Sequence, residues 1–357
     1  MGTLTVSGFL QADQFWPTGR SDADTASIII ENEHSFVYVN DAGQRKITKA
    51  FENAEVIDPT TGRRSPVIKT SKTSAERKIT IRMQGIDAPE LHYQPSVHRA
   101  KGTGLLHPYR QSLGETSANA LEEFVAQLGE TQIPCEAVTV VGHPDEVCDV
   151  YGRVVANIVL TRGGSRIDLN HWLLREGWVL PGLYNSMLNA EINAVLADFE
   201  YAKKHRRGLF SRNLVTENLA QFDKERVEQK MPEGWKPFIK DEGPVNFPKF
   251  FRRQAAHFVS RGIDPTTPEN LVDFIAQKKD DLAVGKDTFL TLQGPRIGKV
   301  PPPEFKQLAT FIQGNEYPIG SEIVFWEKDC TLVDKVKETP IAGWEWVSPA
   351  LRNSPVT

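Results

Sequence analysis

A net charge of −4 over 357 residues, with a pI near 6.1, argues against a protein that binds nucleic acid through a broad basic surface. Any site for a polyanion must therefore be local. The hydrophobic content of 39% supports an ordinary globular core, and the length favours about two domains.

The N-terminus and the cysteines bear on the compartment. Residues 1–6 have neither a basic segment nor a long apolar segment, and no later apolar run reaches the ~20 residues of a membrane span. We therefore expect a soluble, cytoplasmic protein with no membrane contact, with export by a route that needs no signal peptide as an open alternative. Cys135, Cys148 and Cys330 match no metal or redox spacing, which favours free thiols over a disulfide between Cys135 and Cys148.

Strand patterns dominate the first part of the chain. Runs rich in β-branched and aromatic residues predict strands at 3–10, 25–31, 35–40, 78–86, 135–141 and 153–160. Three helices are marked by N-terminal capping residues, which are Ser112 with Glu115, Asp168, and Asn185. Together these elements predict an α+β fold, a small β-barrel with three helices.

Two segments look like insertions into this barrel. Residues 41–73 are rich in charge, Thr and Ser without sustained periodicity, so they extend a hairpin or form a surface loop. Residues 91–108 carry His92, His98 and His107 at a spacing that matches no compact zinc motif. This favours a solvated or phosphate-facing loop over a zinc site.

The character of the chain changes after about residue 217. Four prolines punctuate residues 216–248, which read as a linker. Residues 249–284 predict two amphipathic helices, and 319–326 and 344–347 predict late strands. We therefore predict a separate, mixed and mainly helical domain over 249–357 that holds no catalytic motif and is a candidate for binding a protein partner. Arg252 and Arg253 read as part of its solvated helix face.

The densest group of reactive side chains spans residues 82–90, Arg-Met-Gln-Gly-Ile-Asp-Ala-Pro-Glu. The alternating pattern places Arg82 on a strand, and Pro89 places Asp87 and Glu90 on the turn that leaves it. An arginine binds a phosphate through two parallel donors, an aspartate holds a hard cation, and a glutamate orients or deprotonates a water. Phosphodiester hydrolysis needs these three parts.

Two further motifs flank this group. Downstream, residues 149–153, Asp-Val-Tyr-Gly-Arg, place Arg153 at the start of a strand beside Tyr151, an aromatic suited to stacking on a base. Upstream, residues 21–25, Ser-Asp-Ala-Asp-Thr, lead with two carboxylates into a strand. The three motifs in this order are far more specific than any one of them. The alternative interpretation is a surface ion-pair network at a barrel rim.

With these motifs in place, residues 1–215 resemble the staphylococcal nuclease (thermonuclease) family. Residues 167–177 and 202–211 extend the resemblance to a short helix after the barrel and to a closing segment. The resemblance implies an OB-fold, a five-stranded barrel whose open face suits single-stranded nucleic acid. It also implies calcium-dependent hydrolysis of DNA or RNA to 3′-phosphates by metal-assisted attack of water.

The resemblance further implies a metal site. Asp24 and Asp87 would bind calcium through their carboxylates, and Ala88 through its backbone carbonyl. The sequence departs from the family at Ala23, where glycine is usual, and at Ala88, where threonine is common. Residues 41–73 also stand between Asp24 and the other ligands, where the family has a short hairpin, so Asp24 is the ligand that the sequence supports least.

The same resemblance implies roles around the scissile phosphate. Arg82 and Arg153 would clamp the phosphate, and Glu90 would position or deprotonate the attacking water. Tyr151 would stack on or border the nucleotide, and Tyr184 is either a second nucleotide-facing aromatic or a core residue.

Three functions are compatible with the sequence. The first is an active calcium-dependent nuclease. The second is an OB-fold module that binds nucleic acid and has lost catalysis, which would predict loss of one or more of the charged site residues. The third is a nuclease whose biology is set by a partner-binding domain at 249–357.

Overall fold

The structure is a computed structural model that describes residues 2–17, 20–31, 35–47, 50–58, 62–71, 75–93, 109–141, 147–184, 187–218, 221 and 242–261. Beyond these it describes the short segments 288–291, 306–307, 323–325, 331–340 and 346–347.

Most strands lie in the first half of the chain. They are β1 (Gly2–Gln11), β2 (Thr25–Ile30), β3 (Phe36–Asn40), β4 (Arg45–Ile47), β5 (Ala54–Ile57), β6 (Arg64–Pro66), β7 (Ile68–Thr70), β8 (Arg77–Met83), β9 (Gly85–Asp87), β10 (Gln132–Val141), β11 (Val154–Arg162), β12 (Ser165–Asp168) and β13 (Leu180–Gly182). Short strands follow at β14 (Thr288–Thr291), β15 (Lys306–Gln307), β16 (Ile323–Phe325), β17 (Thr331–Asp334), β18 (Thr339–Pro340) and β19 (Trp346–Val347).

Five strands close into the predicted OB-like barrel. They pair in the order β1, β2, β8, β11 and β10, and β10 pairs back with β1 from Gly2↔Val141 to Gln11↔Gln132. The β8–β11 pair is parallel, and the other barrel pairs are antiparallel. Burial alternates residue by residue along β1, β10 and β11, so one face of each strand fills the barrel interior.

The three predicted helices are present as α1 (Gly114–Gln127), α2 (Leu169–Arg175) and α3 (Asn189–Lys204). The carboxylate of Asp168 caps α2 as predicted, accepting from the backbone nitrogen of His171 at 3.1 Å. The predicted cap of α1 is wrong, because the residue before the helix is Leu113 in a left-handed conformation, without a side-chain cap. The predicted cap of α3, Asn185, lies outside the described residues. None of the described helices is both long and apolar enough to cross a membrane.

Residues 41–73 contribute short strands to the sheets. β4 extends a hairpin with β3, β5 pairs with β6, and β7 pairs with β8. Phe51, Val56 and Val67 are buried in the main hydrophobic core. The described part of this insertion therefore packs onto the barrel while β2 and β8 remain direct neighbours.

A fourth helix, α4 (Pro248–Arg261), packs against the barrel domain. Phe247, Phe250 and Ala256 belong to the same core cluster as the barrel strands, and Val245 forms a parallel bridge with Val215. Strand β17 likewise pairs with β5. The division of the chain at 215 and 249 stays a prediction, and the second predicted helix of this region lies outside the described residues.

Candidate active site

Strand register brings Asp24 to Arg82. In the antiparallel β2–β8 pair Thr25 stands opposite Arg82, and the backbone nitrogen of Met83 donates to the backbone oxygen of Asp24 at 2.8 Å. The side chain of Asp24 is buried, with 2% of its surface exposed. The sequence supported this residue least, yet the pairing of β2 with β8 makes the length of the insertion irrelevant to its position.

The turn after β8 supplies the other carboxylates. Gly85 has φ +78, a conformation that favours glycine, and a Cβ there would lie 3.0 Å from side-chain atoms of Met187 and Val195, which would have to shift. Strand β9 follows at once and pairs with β13, which fixes the buried Asp87. The strand ends at Asp87, and Glu90, which follows Pro89, is buried as well.

Arg82 joins the two aspartates. Its guanidinium donates to Oδ1 of Asp87 at 2.7 Å and pairs through its other terminal nitrogen with Oδ2 of Asp24. The Asp24 Oδ2 also accepts from the backbone nitrogen of Ala88 at 2.8 Å. Burial alone would lower the pKa of Arg82, but the charges of Asp24 and Asp87 reverse this and raise it well above its usual value. Burial opposes ionisation of Asp24 too, and Arg82 still holds the pKa of Asp24 below its usual value.

A tight turn presents Tyr151 and Arg153 at the same rim. The Asp149 carboxylate accepts from the backbone nitrogens of Tyr151 and Arg153 at 2.9 and 3.0 Å and from Nε of Arg153 at 2.6 Å. Gly152 has φ +76 and lies too close to Pro66 for a larger residue to fit without strain. The Arg153 guanidinium reaches Oγ1 of Thr25 at 3.4 Å. Tyr151 is 52% exposed, with the Arg153 guanidinium carbon 5.4 Å from its ring centroid.

The site contains a charged residue that the sequence analysis placed on a solvated face. Arg252 of α4 donates to Oε1 of Glu90 and to Oδ2 of Asp87, the latter at 3.1 Å. The interpretation of Arg252 as solvated is therefore wrong. Its only sequence signal is its place next to Phe251 on an amphipathic helix, which does not reveal what that helix face meets.

Asp22 and Tyr184 lie at the edge of this group. Oδ1 of Asp22 accepts from the backbone nitrogen of Leu91 at 2.6 Å. Burial and the nearby charges of Glu90 and Asp24 raise the pKa of Asp22 well above its usual value. Tyr184 packs against the core cluster and also lies close enough to Arg82 to interact with it electrostatically.

Buried amides connect Glu90 to the segment that carries α4. The backbone nitrogen of Glu90 donates to Oε1 of Gln111 at 3.3 Å, and the backbone nitrogen of Gln111 donates to the Glu90 oxygen at 2.7 Å. Nε2 of Gln111 donates to the backbone oxygen of Asn246 at 2.5 Å, and Nδ2 of Asn246 donates to Oε1 of Gln254 at 2.7 Å. This network holds Glu90 and α4 in a fixed relation.

Guanidinium groups separate the acidic side chains of the site. Within the parts of the chain that the structure describes, no three His, Cys, Asp or Glu residues are grouped as ligands of one metal ion. His92 contacts the backbone oxygen of Arg20, while His98 and His107 of the predicted loop lie outside the described residues. Cys135 and Cys148 are buried thiols that form no disulfide with each other, and Cys330 also lies outside the described residues.

Comparison with known families identifies part of this site. A model of the staphylococcal nuclease homologue family matches residues 80–212. The match contains Arg82, Asp87, Glu90 and Arg153, whereas Asp24 precedes it. Comparison with curated protein sequences finds no match. The matched residues supply most of three strands of the closed barrel and most of the charged site, so this part of the chain is similar to the staphylococcal nuclease homologue family.

Proposed function

We propose that this protein is a calcium-dependent nuclease that hydrolyses phosphodiester bonds of DNA or RNA. The observation that carries the proposal is the convergence of Asp24, Arg82, Asp87 and Glu90 in one buried cluster beside Arg153. All of these residues except Asp24 lie in the segment that matches the nuclease family model. A rim of unrelated surface ion pairs would leave these carboxylates exposed, and Asp24 and Asp87 are both 2% exposed.

The donor set suits a hard cation. Asp24 and Asp87 supply two carboxylates, with Asp22 and Glu90 nearby, and burial together with neighbouring negative charge raises the pKa values of Asp22 and Glu90. This crowding of acidic groups is relieved by a bound cation, and all the ligands are oxygens. Asp24, Asp87 and the carbonyl of Ala88 would hold calcium. When bound, the ion supplies charge stabilisation at the phosphoryl oxygens.

Arg82 and Arg153 act on the scissile phosphate. Two guanidinium groups neutralise negative charge that grows on the phosphoryl oxygens in the transition state. Arg82 is held in place by two buried aspartates, so little reorganisation is needed during the reaction. A local pair of arginines also explains how a chain with a net charge of −4 binds a polyanion.

Glu90 orients or deprotonates the attacking water. Burial raises the pKa of its carboxyl, the charge of Arg252 opposes that shift, and the net pKa lies above the usual value. A carboxylate with a raised pKa is a stronger base than one in water. Glu90 takes a proton from the water as the water oxygen forms a bond to phosphorus. The bond from phosphorus to the 5′ oxygen breaks, and that oxygen takes a proton from solvent water and leaves as the 5′-hydroxyl. The other product carries the 3′-phosphate.

Tyr151 and Tyr184 border the nucleotide in this proposal. The exposed ring of Tyr151 offers a face for base stacking, and stacking needs an unpaired base. Single-stranded DNA or RNA is therefore the favoured substrate.

An assay on matched single-stranded DNA and RNA oligonucleotides, with calcium and with a chelator, tests the proposal. Arg82→Ala and Arg153→Ala should each lower the cleavage rate by about 10²- to 10³-fold, as for other preorganised transition-state donors. Arg166→Ala is the matched control, because Arg166 pairs with Glu136 on the barrel surface. Calcium-independent cleavage, or full activity in both site variants, would contradict the proposal. Binding without cleavage by the unmodified protein would identify it instead as a binding module.

A further inference from the structure

Arg252 occupies the side of the carboxylate cluster that a metal ion would need. Its guanidinium contacts both oxygens of Asp87, at 3.1 Å to Oδ2 and 3.5 Å to Oδ1, and also pairs with Glu90. Oδ1 of Asp87 also accepts from the guanidinium of Arg82. Both oxygens of this predicted metal ligand are thus engaged by positive groups of the protein itself.

The remaining carboxylate of the predicted metal site is engaged as well. Oδ2 of Asp24 accepts from Arg82 and from the backbone nitrogen of Ala88, and Oδ1 accepts from the hydroxyl of Thr25 at 3.1 Å. The contacts of Asp24 are made within the barrel strands and the adjoining turn. The contacts of Arg252 are different, because they come from a helix more than 160 residues away along the chain.

The helix that carries Arg252 is firmly anchored. Phe250 and Ala255 of α4 are buried, Phe251 packs between Tyr93 and Tyr109, and the buried Gln254 joins the amide network. The side chain of Arg252, by contrast, is 23% exposed. Release of the carboxylates therefore requires rotation of one long side chain and no detachment of the helix.

We propose that Arg252 is a built-in competitor for the divalent cation, an inference that rests on the proposed function. Without the cation its guanidinium closes on Asp87 and Glu90. A divalent cation binds only when Arg252 has released Asp87, because both take the same oxygens and both are positive. Closure also engages Glu90, so the water-activating carboxylate becomes accessible only in the open form.

The competition has a measurable consequence for affinity. The apparent dissociation constant of a ligand rises in inverse proportion to the fraction of molecules that are competent to bind, so a form closed in about 90% of molecules weakens binding about tenfold. Removing the guanidinium should restore the intrinsic affinity. A lysine at this position keeps the charge but cannot bridge two carboxylates through a planar guanidinium. Arg252→Lys should therefore restore part of the intrinsic calcium affinity.

Calcium titration of the full chain by calorimetry, without substrate, tests this inference. Arg252→Ala should bind calcium at least about tenfold more tightly than the unmodified protein, and Arg252→Lys should fall between the two. Arg253→Ala is the matched control, since it removes an equal charge from the next position of the same helix, and it should bind like the unmodified protein. Far-UV circular dichroism of each variant verifies folding, and Arg252→Lys carries the test if the alanine variant does not fold.

Three results would overturn the inference. Equal or weaker calcium binding by Arg252→Ala shows that the guanidinium does not compete with calcium. If the unmodified protein still binds calcium and cleaves, the proposed nuclease function holds without this competition. Equal tightening by Arg253→Ala assigns the effect to distant charge instead of contact. Absence of calcium binding in all variants rejects both the competition and the calcium-dependent function.

Discussion

Asp24 directly precedes β2 and Arg82 lies on the neighbouring strand β8, whereas Arg252 reaches the same carboxylate cluster from α4. Backbone hydrogen bonds of the β2–β8 pair fix the first two residues. Arg252 is positioned by packing of its helix and then by a long, partly exposed side chain. We call Asp24 and Arg82 the strand side of the site and Arg252 with α4 the helix side. The strand side keeps its geometry through backbone hydrogen bonds, whereas on the helix side one long side chain can move.

Arg82→Ala should disrupt the strand side of the site and have one of the two largest effects on the free energy of unfolding. The substitution leaves Asp24 and Asp87 buried without their shared partner, and removing one member of a buried ion pair costs about 3–5 kcal/mol. Urea unfolding without calcium measures this loss. Arg252→Ala should cost clearly less, because its side chain is partly exposed and Asp87 keeps Arg82. Equal losses in the two variants would contradict the distinction between the two sides.

Phe250→Ala should weaken the packing of α4 against the barrel core. Phe250 is fully buried in the core that α4 shares with the barrel, and truncating a buried phenylalanine costs about 3–5 kcal/mol. Val336→Ala is the control, because Val336 is 74% exposed and surface substitutions stay within about 0.5 kcal/mol. Urea unfolding again supplies the measurement. If Phe250→Ala behaves like Val336→Ala, α4 does not share the barrel core in solution.

The contrast between the two sides also explains which features sequence could predict. Alternation predicts the barrel strands, and Arg82 lies on β8 as the pattern predicts. The predicted turn position of Asp87 is wrong, because Asp87 ends the short strand β9, which pairs with β13. The sequence supports Asp24 least, because residues 41–73 separate it along the chain from the other site residues. Strand pairing sets their proximity, and the insertion leaves the pairing intact.

Arg252 could not be predicted for a physical reason. Amphipathic spacing shows that a helix buries one face, but it does not show which surface that face meets. The contact of Arg252 with Glu90 depends on Phe250 and Phe251 docking onto the barrel domain, a tertiary event with no local signature. The predicted cap of α1 is wrong for a related reason. Leu113 precedes the helix in a left-handed conformation, which a leucine rarely adopts.

Tyr151→Ala should separate substrate binding from stability. The ring is 52% exposed, so its loss should leave urea unfolding unchanged within about 0.5 kcal/mol. Loss of base stacking costs about 1–3 kcal/mol per base, which predicts a rise in KM for single-stranded oligonucleotides. Tyr151→Phe keeps the aromatic face and should behave like the unmodified protein. A fall in kcat at constant KM would contradict a stacking role.

Gln254→Ala tests whether the amide network couples the position of α4 to calcium binding. Its effect on calcium affinity should be smaller than that of Arg252→Ala. The change removes the acceptor of the Asn246 amide, and leaving a buried donor unsatisfied costs about 1–3 kcal/mol. Because α4 is then held less firmly, Arg252 should close on Asp87 and Glu90 less often, and calcium should bind more tightly, by less than in Arg252→Ala. In the Arg252→Ala background the same substitution should leave calcium affinity unchanged, since no competitor remains to be positioned. A double-mutant cycle on calcium affinity measures this coupling. Additive effects of the two substitutions would mean that the network stabilises α4 without controlling Arg252.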